Sequence, residues 1–438
     1  MNNVIIVGSG LAGPLLSILL SKRSESITLF EKREDIRKQS FYGGRSINLA
    51  LSHRGIEALK DAGVYDCIKN ELLPMEGRLI HDKNGNTNFQ PYSINPKEVI
   101  YSVSRSRLNK ILLNEADKKN NVKIVFEHNL SKIEDDKLIF NNNINYDCKN
   151  SLVFGADGIK SKVREYVDSK VEKTSYIKPL GHSYKELNIS SSENGNFKLK
   201  PNVLHIWPRN EFMLIALPNP DKSLTCTLFL PNDGKNSFKN LNTKSKVKNF
   251  FENYFSDVFD KIDNCIDSFF TNPTSKLGSV INYNLSYNNQ FCLIGDAAYA
   301  IVPFYGQGMN ASFEDCSILV SYLKKNNNNW LEAIEAFSID RLKDRKSISI
   351  MALENYIEMR DSVANDEFLK KREIANILYE NFPNQFIPKY NMVSFTSISY
   401  NKVNKRAIIQ EKILDKLIDD FSLERANKLI SKSLSNIL

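Results

Sequence analysis

Gly8-Ser9-Gly10-Leu11-Ala12-Gly13, with Glu31 standing 23 residues after Gly8, is the earliest grouping whose residue types and spacing could do chemistry. Glycines in a GxGxxG pattern permit a tight turn, a close approach of backbone to a pyrophosphate, and close packing of a helix on a strand. The helix that follows contributes N–H groups and the positive end of its dipole. A carboxylate at Glu31 can accept from both hydroxyls of a ribose. Such a turn would hold a dinucleotide, with FAD and NAD(P) both open on these residues. A second grouping is Gly295-Asp296-Ala297-Ala298, followed by Pro303-Phe304-Tyr305-Gly306-Gln307-Gly308-Met309-Asn310. Asp296 could bind a ribityl hydroxyl, and the N–H groups and helix start near residues 306–310 could stabilise negative charge on a reduced isoalloxazine. A lone Gly-Asp is more often a turn, but its order and spacing with the first motif favour FAD.

These groups need elements to position them. Val4-Ile5-Ile6-Val7 is a short, wholly apolar, β-branched run of the kind buried on both faces of a parallel sheet. Ile27 to Phe30 reads as a second strand ending at Glu31, which completes a βαβ unit. Ser151 to Phe154 runs into Gly155-Ala156-Asp157-Gly158, and Phe291 to Ile294 runs into Gly295-Asp296 in the same way. From about Thr174 to Leu230 the pattern changes to alternating, aromatic-rich segments, which implies an antiparallel sheet. The expected fold is therefore α/β: a Rossmann-like FAD-binding domain, an inserted antiparallel β-sheet substrate domain, and a C-terminal helical region. The boundaries read from the pattern are 1–73, 96–168 and 282–345 for the first, 74–95 and 169–281 for the second, and 346–438 for the third. Residues 407–438 read as charged and amphipathic, and there is no internal repeat.

Composition narrows the partners. With 59 Lys+Arg against 51 Asp+Glu, the net charge of +8 is small for 438 residues, and the basic residues are interspersed with acids. Nucleic acid binding gets little support from such a pattern. The six cysteines are scattered without a CxxC pair, so neither a zinc site nor a disulfide framework is indicated, and a cytoplasmic, soluble protein is expected. The longest apolar tract, Val4 to Leu20, is broken by Gly8-Ser9-Gly10 and reads as strand, turn and helix. No uninterrupted run of about 18 apolar residues suggests a transmembrane helix.

The three motifs GSGLAG at 8–13, GADG at 155–158 and GDAA at 295–298, in this order, resemble those of the single-component flavin-dependent aromatic hydroxylases. Within that family the match is closest to the members that hydroxylate L-kynurenine. The residues that carry it are Gly44 to Ser52, Ser102 to Arg105, His205 to Arg209, Ile301 to Asn310 and Asn355 to Arg360, and the resemblance spans about residue 4 to about residue 400. It implies that Arg78, Tyr92, Asn355 and Tyr390 hold the amino-acid end of the substrate. The spacings agree, with Tyr92 14 residues after Arg78 and Tyr390 35 residues after Asn355. A guanidinium fork at Arg78 suits an α-carboxylate, although without the resemblance Arg78 would read as a surface residue pairing with Glu76 or Asp82. Carried over for the cofactor are Gly8, Gly10, Ala12, Gly13, Glu31, Arg33, Ala50, Arg105, Leu130, Asp296, Met309 and Asn310. Arg105 also reads as a salt-bridge partner. Asp157 is associated in the family with both FAD and NADPH, and alone reads as a turn aspartate. One departure is Tyr299, where relatives often carry histidine.

The reaction so implied is NADPH reduction of bound FAD, addition of O₂ to give a C4a-hydroperoxyflavin, and oxygen transfer to the ring carbon beside the amino group, giving 3-hydroxy-L-kynurenine. No metal is called for, and the chain has five histidines with no ligand cluster. Pro303 and Phe304 are the favoured walls of a dry pocket, with Ile215, Leu217 and Phe229 as further candidates. Competing readings are a hydroxylase of the same fold for another aromatic acid, and an FAD-binding interaction protein without hydroxylase activity. A halogenase lacks its WxWxIP segment here, and an NAD-dependent dehydrogenase rests on GxGxxG alone.

Overall fold

The computed structural model describes residues 3–38, 48–141, 144–359 and 366–434. The segment Gly44-Arg45-Ser46-Ile47 and Arg360, both quoted above, lie outside the described residues. The chain divides into two compact units, each discontinuous in sequence.

The first unit comprises Met1–Leu72, Val103–Leu180 and Gly278–Ser349. Its six-stranded sheet has the order Ser286–Tyr287, Phe291–Leu293, Ser151–Gly155, Asn3–Val7, Ser26–Phe30, Val122–Val125. All pairings are parallel except that of Ser286–Tyr287. Val4 to Val7 are buried because the central strand has elements over both faces, which is why the run is apolar without alternation. Val7 is level with both Phe30 and Gly155, and Gly155 with Leu293. The register thus delivers Gly8, Glu31, Ala156 and Gly295 to one edge of the sheet, the carboxyl ends where open α/β sheets bind ligands. Helix Ala12–Leu20 is buried nearly all round and packs against helices Arg105–Asp117 and Gly308–Lys325.

The second unit comprises Leu73–Ser102, Gly181–Leu277 and Ile350–Leu438. It is built on a seven-stranded sheet of order Thr274–Ile281, Tyr176–Ile189, Leu224–Pro231, Phe212–Pro218, Val203–Arg209, Gly77–His81, Thr87–Pro91. The expected antiparallel pattern has one exception, the parallel pairing of Gly77–His81 with Val203–Arg209. A long excursion separates these two strands in the chain, so no hairpin constrains their direction. Leu187, Trp207, Leu214, Leu228, Phe251 and Phe255 form the core between the sheet and helices Lys244–Tyr254 and Ser256–Phe259. A further core of Ile374, Leu378, Phe386, Ile413, Leu417 and Ile430 unites the C-terminal helices. The amphipathic tail is two helices, Tyr400–Leu417 and Leu423–Leu434. Among the described residues no helix is long and apolar enough to cross a membrane.

Candidate functional site

The glycine turn of the first unit is shaped by contacts that admit no side chain. Gly8 has φ +104°, and a Cβ there would lie 2.4 Å from the Ala156 carbonyl oxygen. A Cβ on Gly13 would lie 2.0 Å from the Gly8 carbonyl oxygen, whereas one on Gly10 would meet nothing within 4 Å. Gly8 and Gly13 therefore serve packing, and Gly10 faces open space where a ligand backbone could approach. Asn109 Nδ2 donates to the carbonyls of Ser9 at 3.0 Å and Gly10 at 2.7 Å, which pins the turn from helix Arg105–Asp117. Helix Ala12–Leu20 begins with no side-chain cap and no acid in its first turn. Glu31 is buried, and its oxygens accept from the Ser9 amide at 2.9 Å, the Ser9 hydroxyl at 3.0 Å and Arg33 Nε at 2.8 Å. Burial works against charge on Glu31, yet the Arg33 hydrogen bond and charge with the Ser9 amide hold its carboxyl below the usual range.

The Gly295-Asp296 turn adjoins this cradle, since a Cβ on Gly295 would lie 3.5 Å from Ala12 Cβ. Gly295 takes φ +62° and donates its N–H to Asp315 Oδ2 at 3.1 Å. Arg345 Nη2 donates to the carbonyls of Gly295 at 3.0 Å and Tyr299 at 2.9 Å. Around them Arg341 donates to Asp315, Glu314 and Asp344, each at 2.9 Å, and Arg54 donates to Glu314 at 2.5 Å. Burial would push the Glu314 carboxyl up, but the Arg341 and Arg54 charges hold it below its usual range. Asp296 itself is exposed at the edge of this rigid network. Asn310 is fully buried: its Oδ1 accepts from the Ser52 amide at 2.9 Å, and its Nδ2 donates to Ala50 and Gly306, both at 2.8 Å. Its side chain is thus spent on fixing the strand that carries Ala50 and the turn before helix Gly308–Lys325. That helix also starts with no side-chain cap and no acid in its first turn.

The remaining expected cofactor residues are placed differently. Asp157 Oδ2 accepts from the amides of Lys162 at 2.7 Å and Val163 at 3.5 Å, and its buried Oδ1 has no partner among the described residues. Burial pushes its carboxyl above the usual range. Leu130 lies in the hydrophobic core under the strand ends, Met309 is buried at the start of its helix, and Arg105 is exposed at the start of the helix that carries Asn109. Phe304 is buried and Pro303 exposed in the turn before Gly306. Ile215, Leu217 and Phe229 lie in the sheet of the second unit. Two uncapped helix starts, an open Gly10 and an exposed Asp296 along one sheet edge are the donor and acceptor set that a dinucleotide with a ribityl chain needs, so these residues fit FAD.

In the second unit Arg78, Tyr92, Asn355 and Tyr390 form one cluster. Arg78, 7% exposed on strand Gly77–His81, has its Cζ 5.9 Å from the Tyr92 ring centroid and 5.1 Å from that of Tyr390. The two tyrosine rings stack at 5.0 Å with an interplanar angle of 7°. Arg78 Nη2 donates to Asn355 Oδ1 at 3.4 Å and Nη1 to Glu358 Oε1 at 3.5 Å. Among the described residues the buried Tyr92 hydroxyl has no hydrogen-bond partner, and burial pushes its phenol well above the usual range. Glu98 accepts from Asn391 Nδ2 at 2.8 Å and from the Tyr379 hydroxyl at 3.1 Å, which fixes the helix bearing Tyr390. A cavity of about 180 Å³ is lined by Arg78, Tyr92, Glu358, Arg372 and Tyr390 among others. Arg372 donates to Gln90 Oε1 at 2.6 Å and to the Pro91 carbonyl at 2.5 Å, and burial beside Arg78 brings its guanidinium down to about 10. Sequence reasoning assigned no role to Glu358 or Arg372. The spacing of Asn355 and Glu358, three residues apart on one helical face, was a usable signal for the first.

Comparison with known proteins identifies the family. A family model described as an FAD binding domain matches residues 1–333. The kynurenine 3-monooxygenase of Cytophaga hutchinsonii is 41% identical over 432 residues, covering 97% of this chain and 95% of its own. That of Dictyostelium discoideum is 39% identical over 458 residues, covering 99% and 98%. Among solved structures, 2-methyl-3-hydroxypyridine-5-carboxylic acid oxygenase superposes with a TM-score of 0.67 at 17% identity, over 84% of this chain and 95% of that one. The tetracycline destructase Tet(51) gives 0.62 at 18% identity, over 91% and 99%. The two structures establish the fold; identity of about two residues in five along nearly the whole of both chains establishes more, and this chain belongs to the kynurenine 3-monooxygenase family of FAD-dependent aromatic hydroxylases.

Proposed function

We propose that this chain hydroxylates L-kynurenine at the ring carbon beside the aromatic amino group. Per turnover one NADPH, one proton and one O₂ are consumed, and 3-hydroxy-L-kynurenine, NADP⁺ and water are formed. The observation that carries this reading is the buried Arg78 cluster opening on its cavity. A guanidinium fork grips an α-carboxylate with two parallel hydrogen bonds. Glu358 Oε1 and the side-chain Oδ1 of Asn355, both within 3.5 Å of that fork, are acceptors for the α-ammonium. The zwitterionic end of an amino acid thus finds a cation and an anion in the order it needs, and the stacked tyrosines give it rigid walls.

FAD, when bound, supplies the transfer of electrons from NADPH and the activation of O₂. Glu31 would hold the adenosine ribose, the helix starts at Ala12 and Gly308 the phosphates and the ring edge, and Asp296 the ribityl chain. The charged network of Arg54, Glu314, Asp315, Arg341 and Arg345 keeps the Gly295-Asp296 turn in place. Arg78, Tyr92, Asn355, Glu358 and Tyr390 anchor one end of the substrate and so fix the direction of its ring. The aniline lone pair already activates the ortho carbon, so no strong side-chain base is needed. All six cysteines are free and five are buried, which supports a reducing, cytoplasmic setting.

The test is NADPH oxidation by the FAD-loaded protein with and without L-kynurenine, with 3-hydroxykynurenine and H₂O₂ measured in the same tube. Stimulated oxidation with stoichiometric hydroxylated product is expected. Stimulation that yields only H₂O₂ would make L-kynurenine an effector and the substrate another aromatic acid; no stimulation would sink the reading.

A further inference from the structure

Asn391, next in the chain to Tyr390, also lines the cavity of the second unit and is 3% exposed. The two ends of its carboxamide have different surroundings. Nδ2 donates to Glu98 Oε2 at 2.8 Å, whereas no described residue donates to Oδ1. A carboxamide turned end for end would set Oδ1 against the Glu98 carboxylate, two acceptors with no proton between them. Glu98 therefore decides which end of the amide helix Lys389–Phe395 leaves for the cavity, and that end is an acceptor.

Glu98 is itself held from both sides. The segment before it is braced by Asn95, whose Oδ1 accepts from the Lys97 amide at 3.1 Å and whose carbonyl accepts from the Glu98 amide at 3.0 Å. Its second carboxylate oxygen, Oε1, accepts from the Tyr379 hydroxyl at 3.1 Å. Burial and the neighbouring Glu98 carboxylate push the Tyr379 phenol up to about 12, so this hydroxyl keeps its proton and remains a donor. Phe368, Arg372, Ala375 and Tyr379 follow one another along a single face of helix Asp366–Asn381, and the first three line the cavity. One carboxylate thus joins two helices of the cavity wall.

We infer that Asn391 is a further substrate-binding residue, whose Oδ1 accepts from the α-ammonium, and that Glu98 is the positioning residue that keeps this oxygen turned to the cavity. The inference rests on the proposed function for its substrate. A primary ammonium carries three N–H donors and no acceptor. Glu358 Oε1 and Asn355 Oδ1 supply two acceptors beside Arg78, and Asn391 Oδ1 supplies a third. A buried acceptor without a donor destabilises the free protein, and a bound ammonium removes that cost. The ring amine is another N–H donor of the substrate, but it lies beside the reacting carbon, at the end of the molecule away from the amino-acid group. A site built to meet a substrate N–H rejects the analogue that lacks it. Asn391 accordingly selects aromatic amino acids over aromatic acids without the ammonium.

The experiment measures dissociation constants of the FAD-loaded protein by equilibrium dialysis, beside KM and kcat for L-kynurenine. The ligands are L-kynurenine, its desamino counterpart 4-(2-aminophenyl)-4-oxobutanoate, and β-benzoyl-L-alanine, which lacks the ring amine. Asn391→Leu keeps the bulk of the side chain and removes the acceptor. It should weaken L-kynurenine and β-benzoyl-L-alanine by about tenfold, the loss of one hydrogen bond to a charged group. KM should rise as much, while affinity for the desamino compound, kcat and FAD content hold. Glu98→Gln keeps the shape and reverses the amide. The Tyr379 hydroxyl donates to the remaining oxygen, the introduced N–H₂ group faces Asn391, and Asn391 turns its own N–H₂ group to the cavity. The same selective loss is expected, with no further loss when Glu98→Gln is added to Asn391→Leu. Equal weakening of all three ligands would overturn the inference, because Asn391 would then act through the fold. Weakening of L-kynurenine without β-benzoyl-L-alanine would overturn it by assigning Oδ1 to the ring amine. Additive losses in the double variant would overturn the role of Glu98. If L-kynurenine binds but is not hydroxylated, the proposed function fails and the affinities still decide the inference; if the wild-type protein binds it no tighter than the desamino compound, the inference itself falls.

Discussion

Exchanging Arg78 for lysine keeps one positive charge on strand Gly77–His81 but removes the planar fork. In the structure that fork is 7% exposed, lies between Asn355 Oδ1 at 3.4 Å and Glu358 Oε1 at 3.5 Å, and is flanked by the Tyr92 and Tyr390 rings. An ammonium reaches one carboxylate oxygen at a time, so one charge-assisted hydrogen bond is lost, about 1.5–3 kcal/mol, or about ten- to a hundredfold in affinity. Arg78→Ala goes further, because a buried carboxylate left without its cation costs about 3–5 kcal/mol. Initial rates of NADPH oxidation, with 3-hydroxykynurenine and H₂O₂ quantified together, should show KM rising in the order Arg, Lys, Ala. The share of NADPH lost to H₂O₂ should rise in the same order, since an unanchored ring presents no carbon to the oxidant. FAD content should not change, because the expected flavin residues belong to the other unit. The decisive comparison is with decarboxylated kynurenine, which lacks the α-carboxylate. Wild type should bind it poorly, and Arg78→Lys should weaken it little further. Equal losses for both compounds would mean that Arg78 acts through the fold, and an unchanged KM in both variants would refute the reasoning outright.

Other perturbations probe the cradle and its supports. Gly13→Ala places a methyl 2.0 Å from the Gly8 carbonyl oxygen, a backbone atom that cannot step aside; a loss of about 1–3 kcal/mol in stability and a fall in FAD retention are expected, read by thermal unfolding and flavin fluorescence. Asn109→Leu deletes the donor to the Ser9 and Gly10 carbonyls and should weaken FAD binding by about 1–3 kcal/mol, measured by titrating the apoprotein with FAD. Glu31 has its carboxyl held below the ordinary 4.5, so its contribution is complete above that value and is lost as pH falls through the depressed one. Glu31→Gln should therefore flatten that part of the melting temperature profile on the acid side.

What could be read from residue order was whatever short-range geometry dictates. Val4 to Val7, the glycines after them and Glu31 form one βαβ unit, which the apolar run, the GxGxxG turn and the acid at that spacing together indicated. Gly295-Asp296 announced itself the same way, as a buried strand ending in a turn. Contacts across long stretches of chain were not legible. Asn109 reaches back about a hundred residues to Ser9, and Arg345 reaches the carbonyl of Gly295 from fifty residues away. Nothing in the composition near either residue indicates that partner. Asn310 was expected at the cofactor, and its side chain is consumed by Ser52, Ala50 and Gly306.

The second unit makes the same distinction more sharply. Sequence alone determined which local segments become strands and helices and which motifs are present, because hydrophobic period, glycine freedom and capping act over a few residues. Only the tertiary structure decided that Gly77–His81 runs parallel to Val203–Arg209, that Arg78 turns to one face while His81 turns to the other, and that Glu358 comes within reach of Arg78. Those outcomes depend on sheet register and on side-chain packing between segments hundreds of residues apart. Their energies arise once the chain has closed on itself, so no window of the sequence contains them.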